Sequence, residues 1–379
     1  GPAVRALLLT NIYPTRENPG GATFIRSRVR ALTDLGVEVV PLAIWTTWTA
    51  PATVARALLR TADGTPAAGF PGLTAPLGVS QAVRRRLTGR SGSRWLEAVA
   101  RAALDHAGPG VDVVHAHGMY DLPAGMVAQR VARELGRPYV VSLHGTDANE
   151  VLPRRAALYA RVLAGAAATC YVSAALRDQA HRFVPAHPAA HVIPNGVDLS
   201  LFRPGPRRPA PTVLYVGNLE RVKGVDRLPA VWAAVRQAEP DARLRIVGGG
   251  SLDARLRRAL RDPSVRFVGR LDQSAVAREM AAASVLVLPS RSEGWPSVIM
   301  ESYATGTPVV ATSVGGVPEA VVRPHHLVPA DAAVEQGLAA AVVRTLREGE
   351  SARAGLTEVA ALHSWSRVAE QELALYRSA

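Results

Sequence analysis

The chain has one cysteine, one lysine and few aromatic residues, 5% of its 379 positions. A single cysteine, Cys170, excludes an internal disulfide, and its place in the strand-like run AATCYVS argues against a catalytic thiol. Long apolar runs are also missing. The runs present are of strand length and are closed by Gly, Pro or charge, far from the roughly 20 residues that span a bilayer. The opening VRALLLTNIYP reads as a first strand and not as a charged leader with a cleavage site, so the cytoplasm is the expected compartment. With aromatics this sparse, no basic run is interleaved with them in the manner that grips nucleic acid, and no nucleic-acid partner is expected.

What is present is arginine. The formal charge is +13, and of 44 basic residues only Lys223 is a lysine. The arginines are spread along the chain, which fits a base composition that favours them better than a single anionic partner. A lysine kept against that trend, in VLYVGNLERVKGVD directly after an apolar strand, suggests a need for a compact ammonium. A plain surface lysine is the alternative.

Length and 48% apolar content allow two domains, each with its own core. Apolar, β-branched segments alternate with helical ones. Strands are expected at 4–11, 37–44, 112–115, 138–143, 168–172 and 191–194, and again at 212–216, 244–247, 265–268, 285–288 and 308–311. The first helix is expected at 21–35. This is the pattern of an α/β protein with two doubly wound, Rossmann-like parallel sheets, whose ligands lie beyond the carboxyl ends of the strands. After Phe202 come Pro204, Gly205, Pro206, Pro209 and Pro211, which read as a hinge. The expected division is 1–194, a linker at 195–211, a second domain at 212–362, and a terminal helix at 363–379. Residues 46–94 give no clear pattern. Their basic VRRRLTGRSGSR beside Trp95 is either a solvated loop or an arginine-rich surface helix for a peripheral membrane contact, and acceptor specificity could be written there.

The most informative segment is ASVLVLPSRSEGWPSVIME, residues 283–301. Val285 to Leu288 form a buried strand, a polar turn follows, and Pro296 suits the first position of a helix. Amides around Gly294, Trp295, Ser297 and Val298, with the positive helix end, can hold a diphosphate. Glu293 in the loop and Glu301 in the helix could accept hydrogen bonds from hydroxyls at opposite ends of a nucleotide sugar. Two solvated glutamates flanking a helix start are the plainer reading.

Glu293-x7-Glu301, preceded by LPS and followed by TGTPVVATSVGGVPE, resembles the family-four retaining glycosyltransferases of the GT-B fold, in the group with EGWP at this turn. The resemblance extends over nearly the whole chain and implies two Rossmann-like domains facing each other across a cleft, the first binding the acceptor and the second a UDP- or GDP-sugar. It places Glu293 at the donor sugar, Glu301 at the ribose and the 294–298 backbone at phosphate. The family turn G-R-x4-K-G is met by Lys223. Its first basic position is Asn218 here, so Arg221 is the candidate to complete the clamp. Gly249 in the GGG after RLRIV would admit the nucleotide, and the loop at Arg270 and Leu271 is the family's place for the base. No D-x-D occurs, so no metal or other cofactor is expected, the nucleotide sugar being a co-substrate.

In the first domain Gly20 and Gly21 open a helix where the family has a glycine loop facing the donor. His144, in LHGTD, ends a strand and could orient hydroxyls or hydrogen-bond the transition state. Asp147 could cap a helix or hold the acceptor, with His117 and Tyr120 as further acceptor-side candidates. His115 and His117 are read as facing opposite sides of their strand, which argues against a shared metal ion. No carboxylate stands out as a nucleophile, in keeping with a front-face mechanism of retention. An epimerase or hydrolase on the same fold is the competing enzyme reading, and a basic nucleic-acid or lipid-binding protein the non-enzymatic one. Oligomeric state does not follow from the sequence.

Overall fold

A computed structural model describes residues 3–16, 21–48, 65–77, 93–120 and 123–379. They form two units, Gly1–Pro194 with Ser366–Ala379, and Asn195–Trp365. Residues 195–211 therefore group with the second unit.

The first unit is built on β1 (Arg5–Thr10), β2 (Glu38–Trp48), β3 (Gly72–Leu77), β4 (Val113–His117), β5 (Tyr139–Leu143), β6 (Ala168–Tyr171) and β7 (Ala190–Val192). All seven run parallel in the order β3-β2-β1-β4-β5-β6-β7. Leu7 pairs with Val40 on one side and Val114 on the other, and the strands flanking this centre are apolar because helices cover both faces. The helix Ala124–Leu135 shows how they fit: Val127, Ala128, Val131 and Ala132 are buried, and Gly136, at φ 60, ends it in the left-handed conformation that glycine adopts without strain. The helix Trp365–Ser378 also packs in this unit, burying Val368, Leu373 and Tyr376.

The second unit repeats the plan with β8 (Thr212–Val216), β9 (Arg243–Val247), β10 (Val265–Gly269), β11 (Val285–Leu288), β12 (Val309–Thr312) and β13 (Leu327–Val328), in the order β10-β9-β8-β11-β12-β13, again all parallel. Val213, Tyr215, Trp232, Val235, Ile246, Leu338 and Val342 lie at its core. Trp232 satisfies its buried indole N–H on Ser264 Oγ at 3.0 Å.

In each sheet the order reverses at one place, between β1 and β4 and between β8 and β11. Loops leaving the carboxyl ends of strands diverge there and open a crevice. The loops after β8 and β11 carry Lys223 and Glu293; the loop after β5, next to β4, carries His144.

Two strands lie outside the expectations. β3 falls in the stretch 46–94 that showed no pattern, and β13 has only two residues. Trp95 is buried in the helix Ser93–Ala107 and not on an exposed basic surface, while VRRRLTGRSGSR, like Gly20, lies outside the described residues apart from its last two. Pro296 precedes its helix as the cap instead of opening it: at ψ 86 it is outside the helical region, and the helix runs Ser297–Ala304.

Candidate active site

In the second unit, the Lys223 ammonium donates to both oxygens of Glu293, at 2.9 and 3.0 Å. Ser290 Oγ donates to Oε1 of the same carboxylate at 2.6 Å. Glu293 is 7% exposed and Lys223 31%, so the carboxylate is walled in while the ammonium keeps a face open. The loops that carry them are tied together. Arg291 makes two parallel bonds to Asp226, at 2.6 and 2.9 Å, and its Nη1 also donates to the Arg221 carbonyl at 2.7 Å. Arg227 Nη1 donates to the Pro289 carbonyl at 2.8 Å. Such forked arginine–carboxylate pairs fix direction as well as distance.

Two glycines make this packing sterically allowed. A Cβ on Gly224 (φ 69) would stand 1.8 Å from the Pro289 carbonyl oxygen, and one on Gly315 (φ 51) 1.8 Å from that of Glu293. Any side chain at either position would push apart the backbones that hold the ion pair.

Glu301 lies on the second turn of the helix Ser297–Ala304. It is half-buried, has no hydrogen-bond partner among the described residues, and burial pushes its pKa up to about 7. At the helix start the Ser297 N–H donates to the Trp295 carbonyl at 3.0 Å, so that amide is not free for an anion. Val298 has no acceptor for its N–H, as the geometry of a first helical turn dictates. Trp295 is buried and stacked on His363, with ring centroids 5.7 Å apart at 22°, and its indole N–H has no partner.

The flanking donor-side candidates are more open. Asn218 is exposed and gives its carbonyl to Tyr215 OH at 2.8 Å. The Arg221 side chain is 76% exposed, with only a 4.0 Å contact to Asp226. Arg270 reaches the Gly249 carbonyl at 3.2 Å, joining the loops after β9 and β10, and Leu271 follows half-buried. Glu220 accepts from the Ser251 N–H at 2.7 Å and from its hydroxyl, closing the side of the GGG turn.

In the first unit, His115 and His117 share a face. Residues two apart on a strand point the same way, and the two rings lie 4.1 Å apart, which corrects the opposite-face reading. His117 Nδ1 meets His144 Nε2 at 3.0 Å, and Phe24 packs on His144 with ring centroids 5.3 Å apart. His115 is held by Tyr376 OH on Nδ1 and Ser142 Oγ on Nε2, both at 2.7 Å. Burial lowers the pKa of His115 to about 3 and those of His117 and His144 well below the usual histidine range, with nearby cationic charge adding to the effect. All three are neutral at pH 7, and the His117–His144 contact is a donor–acceptor bond between neutral rings. His117 is fully buried, so it braces His144 and does not line an open acceptor surface.

Asp147 also differs from the acceptor-side expectation. It is fully buried, and Oδ1 accepts the backbone N–H groups of His144, Gly145 and Ala148 at 3.0, 2.9 and 2.9 Å. Nor is it a helix cap, since the π-type turn Asp147–Val151 begins at it with Thr146 in the cap position; its carboxylate instead ties together the backbone of the turn that presents His144. Tyr120 is half-buried, its phenol pushed up by burial and by the Asp147 charge. Gly21 is half-buried, and Ala22 after it takes the left-handed conformation (φ 49) to start the helix Thr23–Asp34. Beneath lies a pair with no local sequence signal: Arg28 and Glu372, each 2% exposed, bonded at 2.7 Å across 344 residues.

Two family profiles match the chain: Glycosyltransferase Family 4 over residues 19–201 and Glycosyl transferases group 1 over 210–348. It is similar to D-inositol 3-phosphate glycosyltransferase 1 of Catenulispora acidiphila (34% identity over 306 residues, 71% of this chain and 72% of that one). It is also similar to TuaC of Bacillus subtilis, a provisional teichuronic acid biosynthesis glycosyltransferase (27% over 360 residues, 90% and 89%). Among solved structures, sucrose-phosphate synthase of Thermosynechococcus elongatus superposes with a TM-score of 0.73 at 22% identity, covering 98% of both chains. Anabaena HepE in complex with UDP and glucose gives 0.70 at 17%, covering 99% of this chain and 100% of that one.

Proposed function

The chain belongs to the group 1 and family 4 glycosyltransferases and has their GT-B fold, and from that premise we propose that it is a retaining enzyme using a UDP- or GDP-sugar. Its acceptor is a hydroxyl in natural-product or cell-surface glycan biosynthesis, and the transfer needs no metal ion. The observation that carries this reading is the Lys223–Glu293 pair at the point where the order of the second sheet reverses. An ammonium with one open face can meet a diphosphate, and the carboxylate it holds is fixed for a sugar hydroxyl. Arg221, its side chain 76% exposed, is the candidate for the second cation missing at Asn218. Glu301, without a protein partner, suits the ribose hydroxyls, whose donated hydrogen bonds would stabilise its anion.

Retention without a covalent intermediate is supported by the carboxylates of the first unit. Among the described residues only Asp147 and Glu372 are buried there, one engaged by three backbone N–H groups and the other by Arg28. In the proposed step the departing phosphate oxygen takes the acceptor proton, while neutral His144 orients the sugar by a hydrogen bond. The name of a relative concerned with teichuronic acid biosynthesis agrees with a glycan acceptor, and a fold neighbour solved with UDP-glucose agrees with a uridine donor.

The test is the thermal stabilisation of wild type and Glu301→Ala by UDP, GDP, ADP and their sugars, measured with EDTA and, in parallel, with magnesium. Stabilisation by one base family, lost in the variant, is expected. No shift with any nucleotide would overturn the donor site, and a shift that needs magnesium would overturn metal independence.

A further inference from the structure

The turn Pro324–His326, which leads into β13, sets two histidines against the end of the helix Val334–Glu348. His325 Nε2 lies 3.1 Å from Glu348 Oε1. His326 Nε2 lies 3.8 Å from Oε2, beyond hydrogen-bond range. The two rings meet edge to face with centroids 4.5 Å apart. His326 is fully buried, and neither of its ring nitrogens has a hydrogen-bond partner among the described residues. A buried polar group left unmet is costly, so this imidazole calls for an explanation that the His325–Glu348 contact does not supply.

We propose that His325, His326 and Glu348 bind one divalent cation of the zinc class, on residues that the transfer chemistry does not use. Their donor atoms lie within 4.8 Å of one another. Ligand atoms about 2.0–2.1 Å from a tetrahedral ion stand roughly 3.3 Å apart, and Glu348 Oε2 lies 3.3 Å from His325 Nε2 and 3.8 Å from His326 Nε2, at and somewhat beyond that spacing. An ion between them would give His326 the partner it lacks.

The surroundings favour the same use. Burial lowers the pKa of His326 to about 4, so the ring is neutral at pH 7 and keeps a lone pair for a metal. Arg344 Nε donates to Glu348 Oε1 at 2.9 Å and orients the carboxylate with Oε2 on the His326 side. The side chains of His325 and Glu348 are 29% and 22% exposed, which leaves an entry path and room for water as a fourth ligand. A bound ion would clip the turn before β13 to a helix whose Leu338 and Val342 are in the core of the second unit.

The test uses the full chain without an affinity tag, stripped by chelator, dialysed and titrated with zinc chloride in a calorimeter. One equivalent is expected to bind with micromolar affinity or better. His326→Ala and Glu348→Gln should each weaken it at least tenfold. Cobalt(II) should give wild type, and neither variant, the visible absorption of a tetrahedral ion. If His326→Ala fails to fold, His325→Ala at the half-exposed position carries the same expectation. No saturable binding by wild type, or equal binding by the variants, would overturn the site.

Discussion

The two units each contain a charged pair, and they treat it in opposite ways. Arg28–Glu372 is sealed in the first unit, both side chains 2% exposed, under histidines that burial holds neutral. Lys223–Glu293 in the second keeps its cation nearly one-third exposed, at the mouth of diverging loops. A sealed pair cannot meet a ligand, and its removal is felt as stability. A pair with one open face can exchange part of its electrostatics for a substrate's, and its removal is felt as activity.

This contrast can be broken by experiment. Arg28→Ala, which leaves Glu372 without this arginine in a buried site, is expected to lower unfolding free energy by about 3–5 kcal/mol, measured by denaturant titration. The pair Arg28→Met with Glu372→Leu should recover most of that loss. If the single variant cost less than about 1 kcal/mol, the pair would behave as a surface one and the contrast would fail.

Lys223→Ala should show the reverse. A fall in kcat/KM for sugar transfer of about 10²–10³-fold is expected, with a melting temperature close to that of wild type. An equal loss in stability and activity would make Lys223 a structural residue like Arg28.

The smallest effect sharpens the comparison through pH. A carboxyl whose folded pKa is raised to about 7 from 4.5 takes up a proton on folding, so it costs no stability below pH 4.5 and progressively more as pH rises to 7. The full shift would amount to about 3 kcal/mol, which solvent screening at a half-buried site reduces to about 1 kcal/mol. Glu301→Gln should therefore melt about 2 °C above wild type at pH 8 and with it at pH 4, while losing nucleotide stabilisation at pH 8. A variant that melts below wild type at pH 8 would show that Glu301 has a partner.

Much of this was legible in the sequence. Thr212–Val216 and Val285–Leu288 have the bounds expected for them, because apolar β-branched runs closed by Gly or Pro have few other conformations. The loops bearing Lys223 and Glu293 were legible because motif and strand end coincide. β3 was not, since GLTAPL contains a glycine and a proline and lies at a sheet edge, where neither a full ladder nor two-sided burial is needed. β13 is too short to show alternation. Arg28 and Glu372 lie in two helices 344 residues apart, and nothing in either helix marks its partner. Asp147 was visible as a residue but not as a brace, because that role depends on the path of the backbone around it.

The helix Trp365–Ser378 supplies Glu372 and Tyr376 to a unit whose other residues all precede position 195. On the ribosome, at about 5–20 residues per second, Arg28 is made some 17–70 s before its partner. For about 9–36 s at the end of that interval, after Val192 closes β7, every strand of the first sheet has been made while Glu372 and Tyr376 do not yet exist. The domain that is synthesised first is thus completed last, and a nascent chain halted before Glu372 would carry an arginine in its core without this carboxylate.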